Sequence, residues 1–245
     1  MRTLKLTLAY DGTNYVGWQR QENGVSIQQL VEDALAPLNG GEPPTVAAAS
    51  RTDAGVHALG QVASVSAAID IEPRSVQRAM NVRLPSDIRV LAVEEAQPGF
   101  HARSFSVSKA YRYRIATSSV LSPFDRWYVW HHPIPKDVAL MQAAAAALVG
   151  KHDFASFQAA GSAVRATVRT LTRVDVRETG SEIVVDVEGD GFLRHMVRAI
   201  VGTLADVGTG ARSAASIADT LAAKDRRTAG TTAPGAGLTL MSVRY

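Results

Sequence analysis

Nine consecutive residues, Ser50-Arg51-Thr52-Asp53-Ala54-Gly55-Val56-His57-Ala58, bring together a cation, hydroxyls, a carboxylate, a glycine and an imidazole. Strand-like runs at 45–49 and 61–67 flank them, so the stretch reads as a loop displayed by a scaffold. Asp53 is the candidate for chemistry. A carboxylate can act as nucleophile or base, and in a closed pocket it needs a neighbouring cation to stay ionised. The same letters also make an ordinary turn, because Asp bonds nearby backbone and Gly supplies positive φ. Spacing alone favours the turn.

The elements around the loop must position it. Leu4, Leu6 and Leu8 alternate with Lys5, Thr7 and Ala9, as in a half-buried strand, and no signal-peptide core is expected at this end. Residues 10–21 form a loop with Tyr15 and Trp18 among polar groups. These rings could stack on bases, but plugging the end of a sheet is the preferred reading. Ser26 caps a helix, with Gln29 in the capping-box position and Ile27, Leu30, Val31, Ala34, Leu35 and Leu38 in one stripe. Pro73 opens a second helix with Val76, Ala79 and Met80 inward, and a strand follows from Ile88. This order is the split βαβ, or ferredoxin-like, unit.

The order then returns. A strand is expected over 110–116, a helix over 135–149, and a strand over 168–176 with Arg169, Leu171, Arg173 and Asp175 on its second face. A hairpin at 178–181 leads to Ile183, Val185 and Val187. Helices over 192–207 and 213–223 and a strand over 238–244 complete it. The expected fold is α+β: two ferredoxin-like (split βαβ, RRM-like) halves, residues 1–105 and 106–245, with antiparallel sheets packed around a central cleft.

Composition narrows the classes. The 245 residues are 46% hydrophobic and 20% charged, with net charge +3, as in a soluble globular protein. No apolar run is long enough for a membrane span. Cysteine is absent, which excludes disulfide scaffolds and Cys-ligated metals and fits a cytoplasmic protein. Of 26 basic residues only 5 are Lys. Arg grips phosphate and stacks on bases, although a GC-rich genome gives the same bias.

Two further places could serve Asp53. Tyr111 sits in Lys109-Ala110-Tyr111-Arg112-Tyr113-Arg114, where alternating aromatics and arginines resemble the base-stacking face of an RNA-recognition fold. Equally, Tyr111 and Tyr113 share a face and could both point into the core. On the helix expected over 192–207, Leu193, Met196, Val197, Ile200, Val201 and Leu204 form the buried stripe. Arg198 falls off it, and Gly202, with His195, marks a face where another backbone can approach. Arg194 lies four residues before Arg198, an unfavourable pair unless an anion is near; otherwise this is a solvated basic face. His131, His132 and His195 lack metal-ligand spacing, so no metal is expected. No GxGxxG or Walker loop supports a nucleotide cofactor.

Arg51-Thr52-Asp53-Ala54-Gly55-Val56-His57-Ala58 resembles the catalytic signature of the tRNA pseudouridine synthase A family. Phe192-Leu193-Arg194-His195-Met196-Val197-Arg198-Ala199-Ile200-Val201-Gly202 is similar to a second family motif. So are Tyr10-Asp11-Gly12-Thr13 with Gly17-Trp18-Gln19, Leu84-Pro85-Ser86-Asp87-Ile88, Phe100-His101-Ala102-Arg103, and the tail from Ala229-Gly230 to Tyr245. Ser50 departs from the family's usual Gly. The resemblance implies isomerisation of uridine to pseudouridine in the anticodon stem-loop of tRNA (positions 38–40), without a cofactor, by a homodimer. It implies Asp53 as the essential aspartate and nucleophile, Tyr111 stacking on the target base, Arg198 paired with Asp53, and Arg51 holding the loop or the RNA backbone. The C1′–N1 bond breaks, uracil turns and C5 joins C1′; attack at C1′, attack at C6 and a glycal route all remain open. Two other readings stand beside it: a non-catalytic RNA-binding or RNA-folding protein of the same doubled fold, and an enzyme acting on a free nucleoside.

Overall fold

The computed structural model describes residues 1–162 and 164–245. The chain divides into two compact units, one of Met1–Val107 with Thr239–Tyr245 and one of Ser108–Leu238. The end of the chain, expected to complete the second half, thus clusters with the first unit. Its hydrogen bonds give the reason: Thr239 and Leu240 pair in parallel with His57 and Ala58, and Tyr245 donates to the Ala102 carbonyl (2.8 Å).

In the first unit, β1 (Arg2–Tyr10) buries Leu4, Leu6, Leu8 and Tyr10 on one face, as the alternation requires. The Ser26 hydroxyl accepts the Gln29 N–H (3.2 Å) and starts α1 (Ile27–Leu35). Ile27, Val31, Ala34 and Leu35 are buried, but so are Gln28 and Glu32. Glu32 Oε1 accepts from Gln28 Nε2 (2.8 Å) and from the Val46 N–H (3.0 Å), which docks the short β2 (Val46–Ala48) onto the helix. A purely apolar stripe does not foresee that role. Strand β3 (His57–Ala67) begins earlier than expected, so the end of the Asp53 stretch is already in the sheet.

Helix α2 (Pro73–Arg83) and β4 (Ile88–Ala96) complete the order, and the strands run antiparallel as β4–β1–β3–β2. β4 is the open edge, a liability unless covered. The Asn81 carboxamide of α2 covers it, donating to the Val90 carbonyl and accepting the Val90 N–H, both at 2.8 Å.

The second unit holds β5 (Ser108–Ala116), β6 (Trp130–His131), α3 (Val138–Ala146), β7 (Gly150–Asp153), β8 (Val168–Thr179), β9 (Glu182–Gly189), α4 (Met196–Gly208) and α5 (Ser216–Ala223), ahead of β10 (Leu238–Arg244). Strands β5, β9, β8 and β7 are antiparallel neighbours in that order. Helix α3 starts later than expected, because Asp137 caps it by accepting the Leu140 N–H (3.0 Å).

Two expectations are corrected here. Strand β8 does not keep one alternation: the register shifts between Leu171 and Arg173, so Leu171 is buried together with Val174 and Val176. The extra residue of a bulge exchanges the two faces. The second correction concerns α4. It starts at Met196, and His195 before it has φ 61, so 192–195 are not helical. Arg194 and Arg198 therefore do not form a helical pair. Nor is there a solvated basic face, because Ala199, Gly202, Thr203 and Ala205 are buried as well as the apolar stripe. The tail covers that side: the Gly230 N–H donates to Thr203 Oγ1 (2.9 Å) and the Ala233 N–H to the Arg198 carbonyl (3.1 Å). A Cβ on Gly202 would overlap the Thr231 carbonyl, so the backbones meet only because the residue is glycine.

Gly202→Ala should lower stability by about 1–3 kcal/mol through overpacking. Equilibrium denaturation measures it as a lower midpoint at unchanged m-value. An unshifted midpoint would mean that the tail is not held against α4.

Candidate active site

The Asp53 loop is braced from below by buried polar groups. Gln61, fully buried on β3, accepts the Ser50 N–H (3.3 Å) and donates from Nε2 to the Ser50 carbonyl (2.7 Å) and to the Tyr10 hydroxyl (3.1 Å). Tyr10 in turn lies 2.9 Å from Thr52 Oγ1. Burial pushes the Tyr10 phenol up to about 12 despite its bonds to Thr52 and Gln61, so it remains a neutral hydrogen-bonding group near neutral pH. These bonds hold the loop on both sides of Arg51.

The loop of residues 11–18 closes on it from the other side. The Trp18 N–H donates to the Thr52 carbonyl (3.0 Å), and the Gly12 N–H donates to His57 Nδ1 (3.1 Å). Gly17 has φ 103, and a Cβ there would lie 2.6 Å from the Thr52 oxygen and 2.9 Å from the Asp53 carbonyl carbon. Trp18 is buried against Tyr10, with ring centroids 6.2 Å apart, and plugs the end of the sheet, while the half-buried Tyr15 donates to Asp87 Oδ1 (2.7 Å). The outcome is a fixed main chain: Thr52 and His57 are buried, Asp53 is half-buried and Arg51 is exposed. The Val56 N–H closes the turn onto the Asp53 carbonyl (3.2 Å). Asp53 is thus a half-buried turn residue.

In the second unit, Tyr111 is 5% exposed on β5, and the Phe192 ring meets it edge-on with centroids 5.0 Å apart. Tyr113 is fully buried and donates to the Pro234 carbonyl (2.8 Å); burial raises its pKa, which the nearby Arg198 charge partly opposes. Arg198 is half-buried at the start of α4, and its Nε donates to the Ala233 carbonyl (2.7 Å). Arg198 and the tail thus hold each other in both directions. Within this unit the fold brings Tyr111, Tyr113, Phe192 and Arg198 into one neighbourhood.

Of the two readings of β5, a stacking face or tyrosines turned together into the core, the burial matches the second. Tyr111, Tyr113 and Ile115 are buried on one side. On the other, Arg112 makes a two-pronged bond to Asp186 (2.8 and 3.2 Å) and Arg114 one to Glu182 (2.8 and 2.6 Å). Burial would raise the Asp186 carboxyl, but Arg112 and Arg177 outweigh it and hold it below the usual range. These guanidiniums serve cross-strand acids.

Gln61, Tyr10 and Thr52 were not legible as site residues. For Gln61 the signal is a polar residue opposite Leu8 in a strand where Ala63 and Val65 face Leu6 and Leu4. No group of three or more His, Asp or Glu side chains suited to a metal occurs among the described residues.

The family model described as tRNA pseudouridine synthase matches residues 7–103 and 144–245, reaching both units. Full-length relatives agree. The chain is 45% identical over 245 residues to the tRNA pseudouridine synthase A of Geotalea uraniireducens, covering 100% of both chains. It is 46% identical to the enzyme of that name from Geobacter sulfurreducens, again over 100% of each. It is also 46% identical to that of Syntrophotalea carbinolica, covering 100% of this chain and 97% of the relative. The protein is thus an isomerase of RNA by descent, and the chain belongs to the tRNA pseudouridine synthase family.

Gln61→Leu tests the brace. It keeps the volume but leaves the Ser50 groups and Tyr10 short of partners, so the loop shifts. Turnover should fall on the order of 100-fold, as for an acid displaced by about 1 Å, with KM little changed. Steady-state kinetics on unmodified tRNA measures both. A raised KM with normal kcat would assign Gln61 to RNA binding instead.

Proposed function

We propose that this chain isomerises uridine to pseudouridine in the anticodon stem-loop of tRNA, at positions 38–40, with Asp53 as nucleophile. The observation that carries the reading is the rigidly held loop that presents Asp53, inside the segment matched by the family model. The reaction moves one bond: C1′–N1 breaks and C1′–C5 forms, with no atom gained or lost and no cofactor. The base leaves its stack to be handled. Tyr111 stacks on it, Arg198 supplies the cation that accompanies the reacting carboxylate, and Arg51 contacts the RNA backbone. Stacking of this kind contributes on the order of 1–3 kcal/mol per base.

The protein works as a homodimer in the cytoplasm, and among the described residues no helix is long and apolar enough to cross a membrane. Each half of the chain, dividing near residue 105, is read as a ferredoxin-like unit around an RNA-binding cleft. The antiparallel order β4–β1–β3–β2 supports this for the first. A non-catalytic RNA-binding protein would have no use for a braced acid, and the pairing of Arg112 and Arg114 with acids removes the feature that motivated that reading.

Asp53→Asn should abolish pseudouridine formation on unmodified tRNA, mapped by chemical adduct formation, while binding persists. Turnover within tenfold of the parent would overturn the assignment. Arg198→Lys should be severely impaired, because the Arg198 Nε is engaged on the Ala233 carbonyl and a lysine's single ammonium cannot keep that bond and also accompany the carboxylate. Near-normal activity would remove Arg198 from the site.

A further inference from the structure

A second feature lies beside the Asp53 loop. Ala102 is fully buried and packs with Ala49 and Val62. Its N–H donates to Ser64 Oγ (3.0 Å), and its carbonyl accepts from the Tyr245 hydroxyl. Phe100 packs against Phe105 and Tyr245, with centroids 5.5 and 5.1 Å apart. The next residue, Arg103, has its own N–H fixed on His101 Nδ1 (3.2 Å). An exposed arginine therefore stands on an anchored pedestal. The same small cluster contains Ala49, which leads directly into Ser50 and Arg51.

Arg51 and Arg103 are electrostatic neighbours: burial first, and then the charge of Arg51, lower the proton affinity of the Arg103 guanidinium. Neither has a carboxylate partner among the described residues. This sets them apart from Arg112, Arg114, Arg177 and Arg227, each of which meets an acid. Two like charges held together on fixed backbone repel unless an anion lies between them. A phosphodiester fits: it carries one negative charge, and its oxygens accept from guanidinium forks on both sides.

We propose that Arg51 and Arg103 together grip one phosphodiester of the bound RNA beside the Asp53 loop, fixing the strand whose base is delivered to Asp53. The inference rests on RNA being the substrate, and it names Arg103 as a binding residue and the shared phosphate as its ligand.

The test is tRNA affinity across a potassium chloride series for the parent, Arg51→Gln, Arg103→Gln and the double variant, with pseudouridine formation by the parent measured alongside. Each single change should weaken binding roughly tenfold, as for loss of a charge-assisted hydrogen bond. The double variant should lower the slope of log affinity against log salt by about 0.7–0.9, the range for one phosphate in single-stranded or duplex nucleic acid. Arg103→Lys should recover the slope but not the full affinity. Thermal midpoints should not fall in the variants, since a repulsion is relieved. A slope change of about 1.4–1.8 would mean two separate phosphates and overturn the shared site. Unchanged affinity and slope, or a lowered midpoint, would overturn it outright. If the parent makes pseudouridine but the variants bind like it, only this site fails. If the slope falls as expected but the parent makes none, the enzymatic reading fails and the anion site stands.

Discussion

The hydrogen bonds of one buried carboxamide fix where the acid loop starts. Gln61 uses both ends of its side chain on Ser50 and its remaining donor capacity on Tyr10. In a water-excluded setting such bonds are strengthened, and breaking one leaves a buried polar group unpaired, at about 1–3 kcal/mol. The two anchors belong to adjacent strands, with Leu8 opposite Gln61 and Tyr10 opposite Ala58. The position of the acid loop is therefore a property of strand register. A slip by one residue would turn Gln61 to the other face, away from Ser50.

The second unit solves a similar problem with backbone instead of side chains. Helix α4 is buried nearly all round, which an isolated amphipathic helix cannot be. The cover comes from the tail of the unit, drawn in by Gly202 and tied by Thr203 and by both ends of Arg198. The guanidinium and the segment that holds it are thereby one structure. A change in residues 229–232 acts on Arg198 through Ala233, which bonds it directly. The left-handed turn at His195 has a related effect: it releases Phe192 from the helix and allows its ring edge to meet Tyr111.

Local signals were read correctly where they decide local structure. The alternation of β1, the Ser26 cap and the last strand, found over Leu238–Arg244, all follow from neighbouring residues. Asp53 stood out because its loop concentrates unlike groups. The misreadings share a different cause, since each depends on a distant partner. Glu32 is buried because Val46 needs an acceptor. The faces of β8 exchange because β9 fixes a bulge. The helix at 192 starts late although its apolar spacing continues unbroken, since spacing does not record a left-handed residue. Gln61 was invisible as a site residue because its importance lies in atoms of Ser50 and Tyr10. The end of the chain joins the first unit through parallel pairing with β3, which element order alone assigns to the other half.

The excess of arginine over lysine now divides by use. Arg112, Arg114 and Arg177 form forked or bridging bonds to acids on neighbouring strands, and Arg227 to Asp225. Arg226 reaches the Gly230 carbonyl (2.9 Å) and Thr232 (2.8 Å), stiffening the approach to the tail. A lysine, a point charge on a flexible stem, cannot make such planar double contacts. These five arginines are therefore structural, and their presence needs neither genome composition nor RNA affinity to account for it. Net charge of +3 is likewise a poor guide to the RNA-facing surface, because acids inside the second sheet cancel its arginines in place. What distinguishes an arginine available to a phosphate is the lack of an acid beside it on a rigid main chain. Charge counted residue by residue with its partners, rather than summed over the chain, separates the structural arginines from the rest.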